Sequence, residues 1–159
     1  MGRFQPFHQG HLLLVLKALD QVSYLKIGIG SMQYDHTKEN PFTFLERKEM
    51  IDRSLHEAHI PKTRYEIFGI PDLHDMEKWT LKVLEVFGNF DVFYSNNEWT
   101  RQLFLKQGKA VAPLYQFDFE RYNGTNIRKR IQKGESINQL VPPAVETYLK
   151  EIEGFSRIH

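Results

Sequence analysis

Short segments of β-forming sequence alternate with longer segments of helical pattern, and this order restricts the folds that the chain can adopt. The predicted strands cover residues 24–29, 65–70, 91–95 and 110–115. The predicted helices cover residues 12–21, 44–58, 76–87 and 98–106, with a last one from the 142–143 proline pair to about residue 152. Such alternation predicts an α/β fold, a doubly wound, Rossmann-like parallel sheet with helices on both faces. In these sheets ligands bind at the carboxyl ends of the strands.

Length and composition are those of one ordinary domain. The 159 residues, 41% of them hydrophobic, are enough for a single compact domain spanning residues 1–159. The 21 basic and 20 acidic residues give a net charge of +1, so neither nucleic acid nor a membrane surface is expected as a partner. The chain has no cysteine and no apolar run near the roughly 20 residues of a membrane span, and we expect a cytoplasmic protein.

The N-terminal segment GRFQPFHQGH combines two histidines, an arginine and two glycines directly before an apolar run. A helix that begins near His11 has backbone N–H groups without intrahelical partners, and these groups favour an anion. Gly10 lets the backbone approach a ligand closely, and the imidazoles of His8 and His11 and the guanidinium of Arg3 can donate to phosphate oxygens. The segment therefore predicts a binding site for the phosphates of a nucleotide.

A His-x-x-His pair could also belong to a metal site. Structural zinc takes a full tetrahedral set of ligands, and no cysteine is present to complete one. The remaining histidines follow no ligand spacing: His36, His56, His59, His74 and His159. A single histidine is most often an ordinary core or surface residue, but His8 and His11 flank Gly10 just after Arg3. This arrangement favours phosphate, and we predict no metal site made of protein ligands.

The same segment resembles the G-x-F-x-P-x-H-x-G-H signature of the nucleotidyltransferase superfamily that includes the small adenylyl- and cytidylyltransferases. Its form Gly-Arg-Phe-Gln-Pro is similar to the archaeal-type nicotinamide mononucleotide (NMN) adenylyltransferases. The resemblance continues in the family's order through 28–31 (GIGS), 40–43 (NPFT), 46–47 (ER), Trp79, 95–97 (SNN) and 124–128 (GTNIR).

This resemblance implies transfer of AMP from ATP to NMN, with release of pyrophosphate and formation of NAD. The attacking group is a phosphate monoester with a second pKa of about 6, so it is largely deprotonated at neutral pH and needs no general base. The enzyme has to position two anions and neutralise the charge on the transferred group and the departing pyrophosphate.

The resemblance also assigns roles to particular residues. The catalytic residues on the phosphates would be Arg3, His8, His11 and Arg128. Further ATP contacts are expected from Gly2, Phe4, Gln5, Gly10, Arg47, Asn123, Gly124 and Thr125. NMN contacts are expected from Gly30, Ser31, Asp72, Trp79 and Asn96. Two points stay open: Tyr122-Asn123 replaces the family's Ile-Ser, and a tryptophan on a helix like that of Trp79 is most often a core residue.

No acidic pair is placed to hold a dedicated ion, so Mg²⁺ is expected to arrive with ATP, bound by phosphates and water. Related archaeal enzymes assemble as hexamers, which implies a homo-oligomer. Only Met1 precedes the Gly2-Arg3 turn, whereas a sheet of this kind needs a central apolar strand there. We therefore expect that the sequence lacks a short N-terminal segment of the natural protein.

Two other functions compete with NMN adenylyl transfer. One is transfer by the same superfamily chemistry to another acceptor, such as pantetheine phosphate, FMN or a sugar or polyol phosphate. The Gly-Arg-Phe-Gln-Pro segment and Trp79 argue against it. The other is a non-catalytic nucleotide sensor, against which the presence of His8, His11 and Arg128 argues.

Overall fold

The computed structural model describes residues 1–115, 117–118 and 120–158. The helices are α1 (Gln9–Leu19), α2 (Phe44–Glu57), α3 (Met76–Phe87), α4 (Glu98–Lys106), α5 (Gly124–Gln132) and α6 (Pro143–Glu151). The strands are β1 (Leu25–Ile29), β2 (Tyr65–Gly69), β3 (Val92–Phe93) and β4 (Ala110–Val111), and two 3₁₀ turns cover Lys62–Arg64 and Gly154–Arg157.

The strands form two parallel pairs. β1 pairs with β2 from Leu25 opposite Tyr65 to Ile29 opposite Gly69, and β3 pairs with β4 over two residues each. Because consecutive parallel strands need a crossover, a helix follows each of the first three strands, in agreement with the predicted βα alternation.

The first two residues connect the two pairs of strands. The Gly2 N–H donates to the Gly28 carbonyl at 3.1 Å, and the Gly30 N–H donates to the Gly2 carbonyl at 3.0 Å. On the other side, the amino group of Met1 donates to the Tyr94 carbonyl at 3.3 Å. The spatial order is therefore β2, β1, residues 1–2, β3 and β4.

A cavity of about 750 Å³ lies between β1 and β3, beside Met1. Residues 21–27 line this cavity on one side and residues 89–94 on the other.

Two hydrophobic cores lie on opposite faces of the sheet. The first joins α1, α2, α5 and α6 to β1 and β2, and the second joins α3, α4 and β3. In β2, Ile67 packs on the first core and Phe68 on the second, as expected because successive side chains of a strand point to opposite faces. The prediction of helices on both faces is thereby confirmed.

Most element boundaries agree with the sequence prediction. α3 and α4 have the predicted bounds, and α2 begins after a capping box in which Thr43 and Glu46 exchange hydrogen bonds of 3.2 and 2.9 Å. β3 and β4 are shorter than predicted, at two residues each. In the described part of the chain, no helix has the length and apolarity needed to cross a bilayer.

Candidate active site

The predicted substrate residues gather at the carboxyl edge of the sheet. Gly30 and Ser31 follow β1, Asp72 follows β2 and Asn96 follows β3, while residues 1–2 lead into Arg3 at the same edge. Parallel strands bring these ends together although the residues are far apart in sequence.

His8 and His11 cap the first helix by exchanging hydrogen bonds. The His8 Nδ1 accepts from the His11 N–H at 3.3 Å, and the His11 Nδ1 accepts from the His8 N–H at 3.2 Å. The two rings stack with centroids 3.4 Å apart and planes 17° from parallel. With His8 as N-cap, α1 begins at Gln9, three residues before the predicted start.

These hydrogen bonds define the chemical form of both rings. Because each Nδ1 accepts a hydrogen bond from a backbone N–H, we infer that each neutral ring carries its own proton on Nε2. Burial lowers the pKa of His8 to about 4. Burial also lowers the pKa of His11 well below its usual range, and the neighbouring His8 lowers it further. At neutral pH the pair is therefore uncharged, with two Nε2–H groups as its remaining donors.

The helix terminus itself differs from the prediction of free N–H groups. The His11 N–H is taken up by His8, and the Gln9 N–H donates to the Leu140 carbonyl at 2.9 Å. Protein acceptors therefore satisfy these two groups, which are not free for an anion. The donors left open at this terminus are the ring Nε2–H groups and the N–H of Gly10, which has no acceptor among the described residues.

The two ends of the chain meet beside the histidines. Arg128 Nη1 donates to the Gln5 carbonyl at 2.7 Å. Two glycines make this contact possible: a Cβ on Gly124 would lie 3.2 Å from the Gln5 carbonyl oxygen, and one on Gly10 would lie 2.9 Å from the Tyr122 Cβ. Gly10 thus allows chain segments to pack closely, whereas the sequence suggested a close approach to a ligand.

Positive charge is concentrated where the two ends meet. Burial lowers the pKa of the Arg128 guanidinium, and the nearby charge of Arg3 lowers it further. Asn123 caps α5 by accepting from the N–H groups of Thr125 and Asn126 at 2.9 and 3.3 Å. Arg3 and Arg128 therefore form a pair of cations at the start of a capped helix, an arrangement that favours an anion.

On the opposite side of the edge, side chains bind to one another and to backbone. Ser31 Oγ donates to Asp72 Oδ2 at 2.6 Å. The Gln33 amide pairs with the backbone N–H and carbonyl of Asp72 at 3.0 and 2.9 Å, and Asn96 pairs with the backbone of Tyr115 at 2.9 and 3.2 Å. Sequence analysis missed Gln33, because its loop position carries no pattern that identifies its partner.

The chain is similar over its whole length to named archaeal enzymes. Residues 1–130 match the family described as Cytidylyltransferase-like. The nicotinamide-nucleotide adenylyltransferase of Thermococcus kodakarensis is 39% identical over 158 residues, which cover 99% of this chain and 84% of that protein. The protein of the same name from Thermoplasma volcanium is 41% identical over 158 residues, which cover 99% and 88%. The chain belongs to the nicotinamide-nucleotide adenylyltransferase family.

A solved structure supports the fold of this family member. The bifunctional NMN adenylyltransferase/ADP ribose pyrophosphatase of Francisella tularensis, complexed with AMP and a manganese ion, matches with a TM-score of 0.80 at 24% identity. The match covers 99% of this chain and 49% of that one, so the chain spans about half the length of the bifunctional protein. The predicted Rossmann-like fold is confirmed.

Three of the residues predicted to contact ATP have buried side chains. The Gln5 side chain is 4% exposed and exchanges two 3.0 Å hydrogen bonds with the Phe42 backbone, so its amide is unavailable to a ligand. The Phe4 ring is 5% exposed and packs edge-on against His11 at 4.7 Å. Arg47 is 0% exposed and donates to backbone carbonyls. All three side chains are thus engaged within the protein, and a backbone contact of Phe4 or Gln5 with ATP stays a prediction.

Trp79 lies in the second core, as a tryptophan on such a helix usually does. It is 9% exposed and packs with Ile70, Val83 and Phe87. Its Nε1–H has no acceptor among the described residues. The core interpretation is thus confirmed, and contact with nicotinamide stays a prediction. Within the described ranges, no three His, Asp or Glu side chains come together in a way that could hold a metal ion.

Proposed function

We propose that this protein transfers AMP from ATP to NMN and forms NAD and pyrophosphate. Family membership supports this reaction, because the archaeal relatives bear its name. The observation that carries the proposal is the meeting of the stacked His8–His11 pair with Arg3 and Arg128 at the carboxyl edge of a parallel sheet.

The reaction needs donors and cations more than it needs a base. An oxygen of the NMN phosphate attacks the α-phosphorus of ATP, a new P–O bond forms, and the bond to the β-phosphate oxygen breaks with its electron pair leaving on pyrophosphate. The Nε2–H groups of His8 and His11 stabilise the charge that develops on the α- and β-phosphates. Arg3 and Arg128 hold the β- and γ-phosphates with planar, bidentate guanidinium groups.

The remaining ATP contacts come from segments beside these four side chains. Gly10 offers its backbone N–H between the two histidines, Gly2 precedes Arg3 and holds the end of β1 through its backbone, and Asn123, Gly124 and Thr125 form the capped start of α5. The positive end of this helix faces the same anion as Arg128. The side chains of Gln5, Phe4 and Arg47 contribute only as support.

NMN binds on the Ser31–Asp72 side of the edge. Asp72 Oδ2 is held by Ser31, so the other carboxylate oxygen can accept from the nicotinamide carboxamide. Gly30 leaves room beside it, since a Cβ there would meet nothing closer than 3.9 Å. Trp79 and Asn96 complete the pocket, Trp79 by stacking of its indole or by its unpartnered Nε1–H.

Mg²⁺ enters this reaction as part of the ATP substrate. Bound mainly by phosphate oxygens and water, the ion would arrive with ATP and would neutralise part of the phosphate charge. We further propose that the protein acts in the cytoplasm as a homo-oligomer.

The test is incubation of the protein with ATP, Mg²⁺ and NMN, with NAD measured by a coupled dehydrogenase. A parallel panel offers pantetheine phosphate, FMN and polyol phosphates with either ATP or CTP. NAD formation well above that of any other pair supports the proposal. Preferred use of another acceptor would establish the superfamily alternative, and nucleotide binding without transfer to any acceptor would establish a sensor.

A further inference from the structure

Arg47 is the largest of the fully buried side chains, at 0% exposed. Among the described residues no carboxylate forms an ion pair with it, and burial lowers the pKa of its guanidinium to about 10. The charges of Asp35 and Asp72 act on it only from beyond ion-pair distance and raise the pKa in part. A buried charge without an ion-pair partner is unfavourable unless hydrogen bonds satisfy it. Its hydrogen-bond partners therefore indicate why an arginine occupies this position.

The partners of Arg47 are backbone carbonyls of three separate segments. Its Nη1 donates to the carbonyls of Arg3 at 3.0 Å and Gly30 at 2.8 Å, and its Nη2 donates to that of Ser31 at 3.2 Å. Its Nε donates to the Thr43 carbonyl at 3.2 Å. The guanidinium group of Arg47, on α2, thus connects the turn that follows residues 1–2 with the turn that follows β1.

Both exits contain a residue in the left-handed region. Phe4 has φ 56° and Ser31 has φ 52°, values that are unfavourable for residues with a Cβ. Arg3 and Gly30 directly precede these two residues, and their carbonyls are the ones that Arg47 holds. The guanidinium therefore fixes the peptide groups that lead into both turns.

These turns carry the two sides of the proposed active site. Arg3 lies on the phosphate side, and Ser31 holds Asp72 on the NMN side. We propose that Arg47 is a positioning residue: it fixes the two turns relative to each other and so sets the spacing of ATP and NMN, while touching neither substrate. The effect on substrate spacing rests on the proposed function, whereas the fixing of the two turns rests only on the hydrogen bonds of Arg47.

The first experiment uses the wild-type protein and does not depend on activity. Arginine Nε–H signals, assigned through their side-chain connections to the backbone, are followed by ¹⁵N NMR before and after addition of a non-hydrolysable ATP analogue and of NMN. We expect the Arg47 signal to exchange slowly with water and to move less than those of Arg3 and Arg128. An Arg47 signal that exchanges rapidly, or that shifts most with the ATP analogue, overturns the proposal. If no arginine responds to either ligand, the proposed function fails while slow exchange still supports the structural part.

The second experiment compares Arg47→Lys and Arg47→Met with Arg53→Lys. Arg53 is the matched control because it lies on the same helix and pairs at the surface with Glu49 and Glu151. For each variant, titration calorimetry measures how many ligand molecules bind per protein chain, which gives the fraction of active sites that can bind ligand. The kcat is then divided by this fraction, so that it refers to binding-competent sites only. We expect Arg47→Met to lower kcat by about 10²-fold, because small misplacement of reacting groups is costly, and to raise KM for both substrates.

Lysine retains the charge but lacks the planar guanidinium group. We therefore expect kcat of Arg47→Lys to lie closer to that of Arg47→Met than to that of the wild type on a logarithmic scale. Arg53→Lys should leave kcat and both KM values unchanged. Variants that bind fewer ligands per protein but keep wild-type kcat and KM per competent site would mean a purely structural role. A rise in the KM of ATP alone would mean direct ATP contact. Either result overturns the proposal, and if the Arg47 variants do not fold, the wild-type NMR experiment decides it.

Discussion

The phosphate side and the NMN side of the site are built in different ways. On the phosphate side, His8 and His11 satisfy each other through Nδ1 and keep both Nε2–H groups for a ligand. On the NMN side, Ser31 and Asp72 bind each other. The phosphate side thus has free hydrogen-bond donors already oriented before an anion binds. On the NMN side, a ligand has to bind to groups that already hydrogen-bond to each other. Removing a residue from the phosphate side should therefore cost more.

The largest effect is expected from His11→Ala. This change removes an Nε2–H donor and also the acceptor of the His8 N–H. One preorganised donor to a developing negative charge is commonly worth about 10²- to 10³-fold in kcat, and we expect a loss of that size. Steady-state kinetics with circular dichroism as a folding control measure it. Wild-type turnover in a folded variant would contradict the assigned role.

The second prediction is a pH dependence of stability that arises from the same pair. The pKa of His8 is about 4 in the folded state and about 6.5 when unfolded. Between these values the unfolded state binds more protons, so stability is complete above about pH 6.5 and falls as the pH drops toward 4. His8 alone contributes at most about 3 kcal/mol to this loss.

Urea unfolding of the wild type and of His8→Asn at several pH values measures the effect. Asparagine is a good N-cap that does not titrate, so His8→Asn should be less sensitive to pH in this window. Equal pH slopes for the two proteins would mean that the histidines are not buried in neutral form.

A smaller effect is expected from Arg128→Lys. The lysine keeps the charge but cannot both donate to the Gln5 carbonyl and grip a phosphate with a planar fork. Because a hydrogen bond to a charged group is worth about 1.5–3 kcal/mol, ATP affinity should fall at least about tenfold. NMN affinity should not change, since Arg128 lies on the phosphate side. Calorimetry with each ligand separately tests this, and an equal loss for both ligands would remove the distinction between the two sides.

Standard local patterns could be predicted from the sequence, and the long-range contacts of the site could not. The capping pair of Thr43 with Glu46 joins residues three positions apart in a standard pattern, so spacing alone reveals it, whereas the equally local pair of His8 with His11 follows no standard capping pattern and was not predicted. The side chains of Gln5 and Arg47 have partners up to 37 and 44 positions away, and these partners are backbone groups of unspecified sequence. No pattern in the sequence identifies such partners, and the family resemblance instead implied that both residues contact ATP.

The smallest effect is expected from Trp79→Phe, on the NMN side. Replacement by alanine would leave a cavity in the second core, because the indole is 9% exposed among Ile70, Val83 and Phe87. Phenylalanine keeps most of that packing but removes the Nε1–H, which has no acceptor among the described residues, and weakens stacking on a cationic ring.

If NMN uses either interaction, its KM should rise by about three- to fivefold while the KM of ATP stays constant. Such a change in KM with kcat retained is the signature of lost uniform binding. If neither KM changes and only the unfolding midpoint falls, Trp79 is a core residue without a ligand. The NMN pocket would then consist of Gly30, Ser31, Asp72 and Asn96.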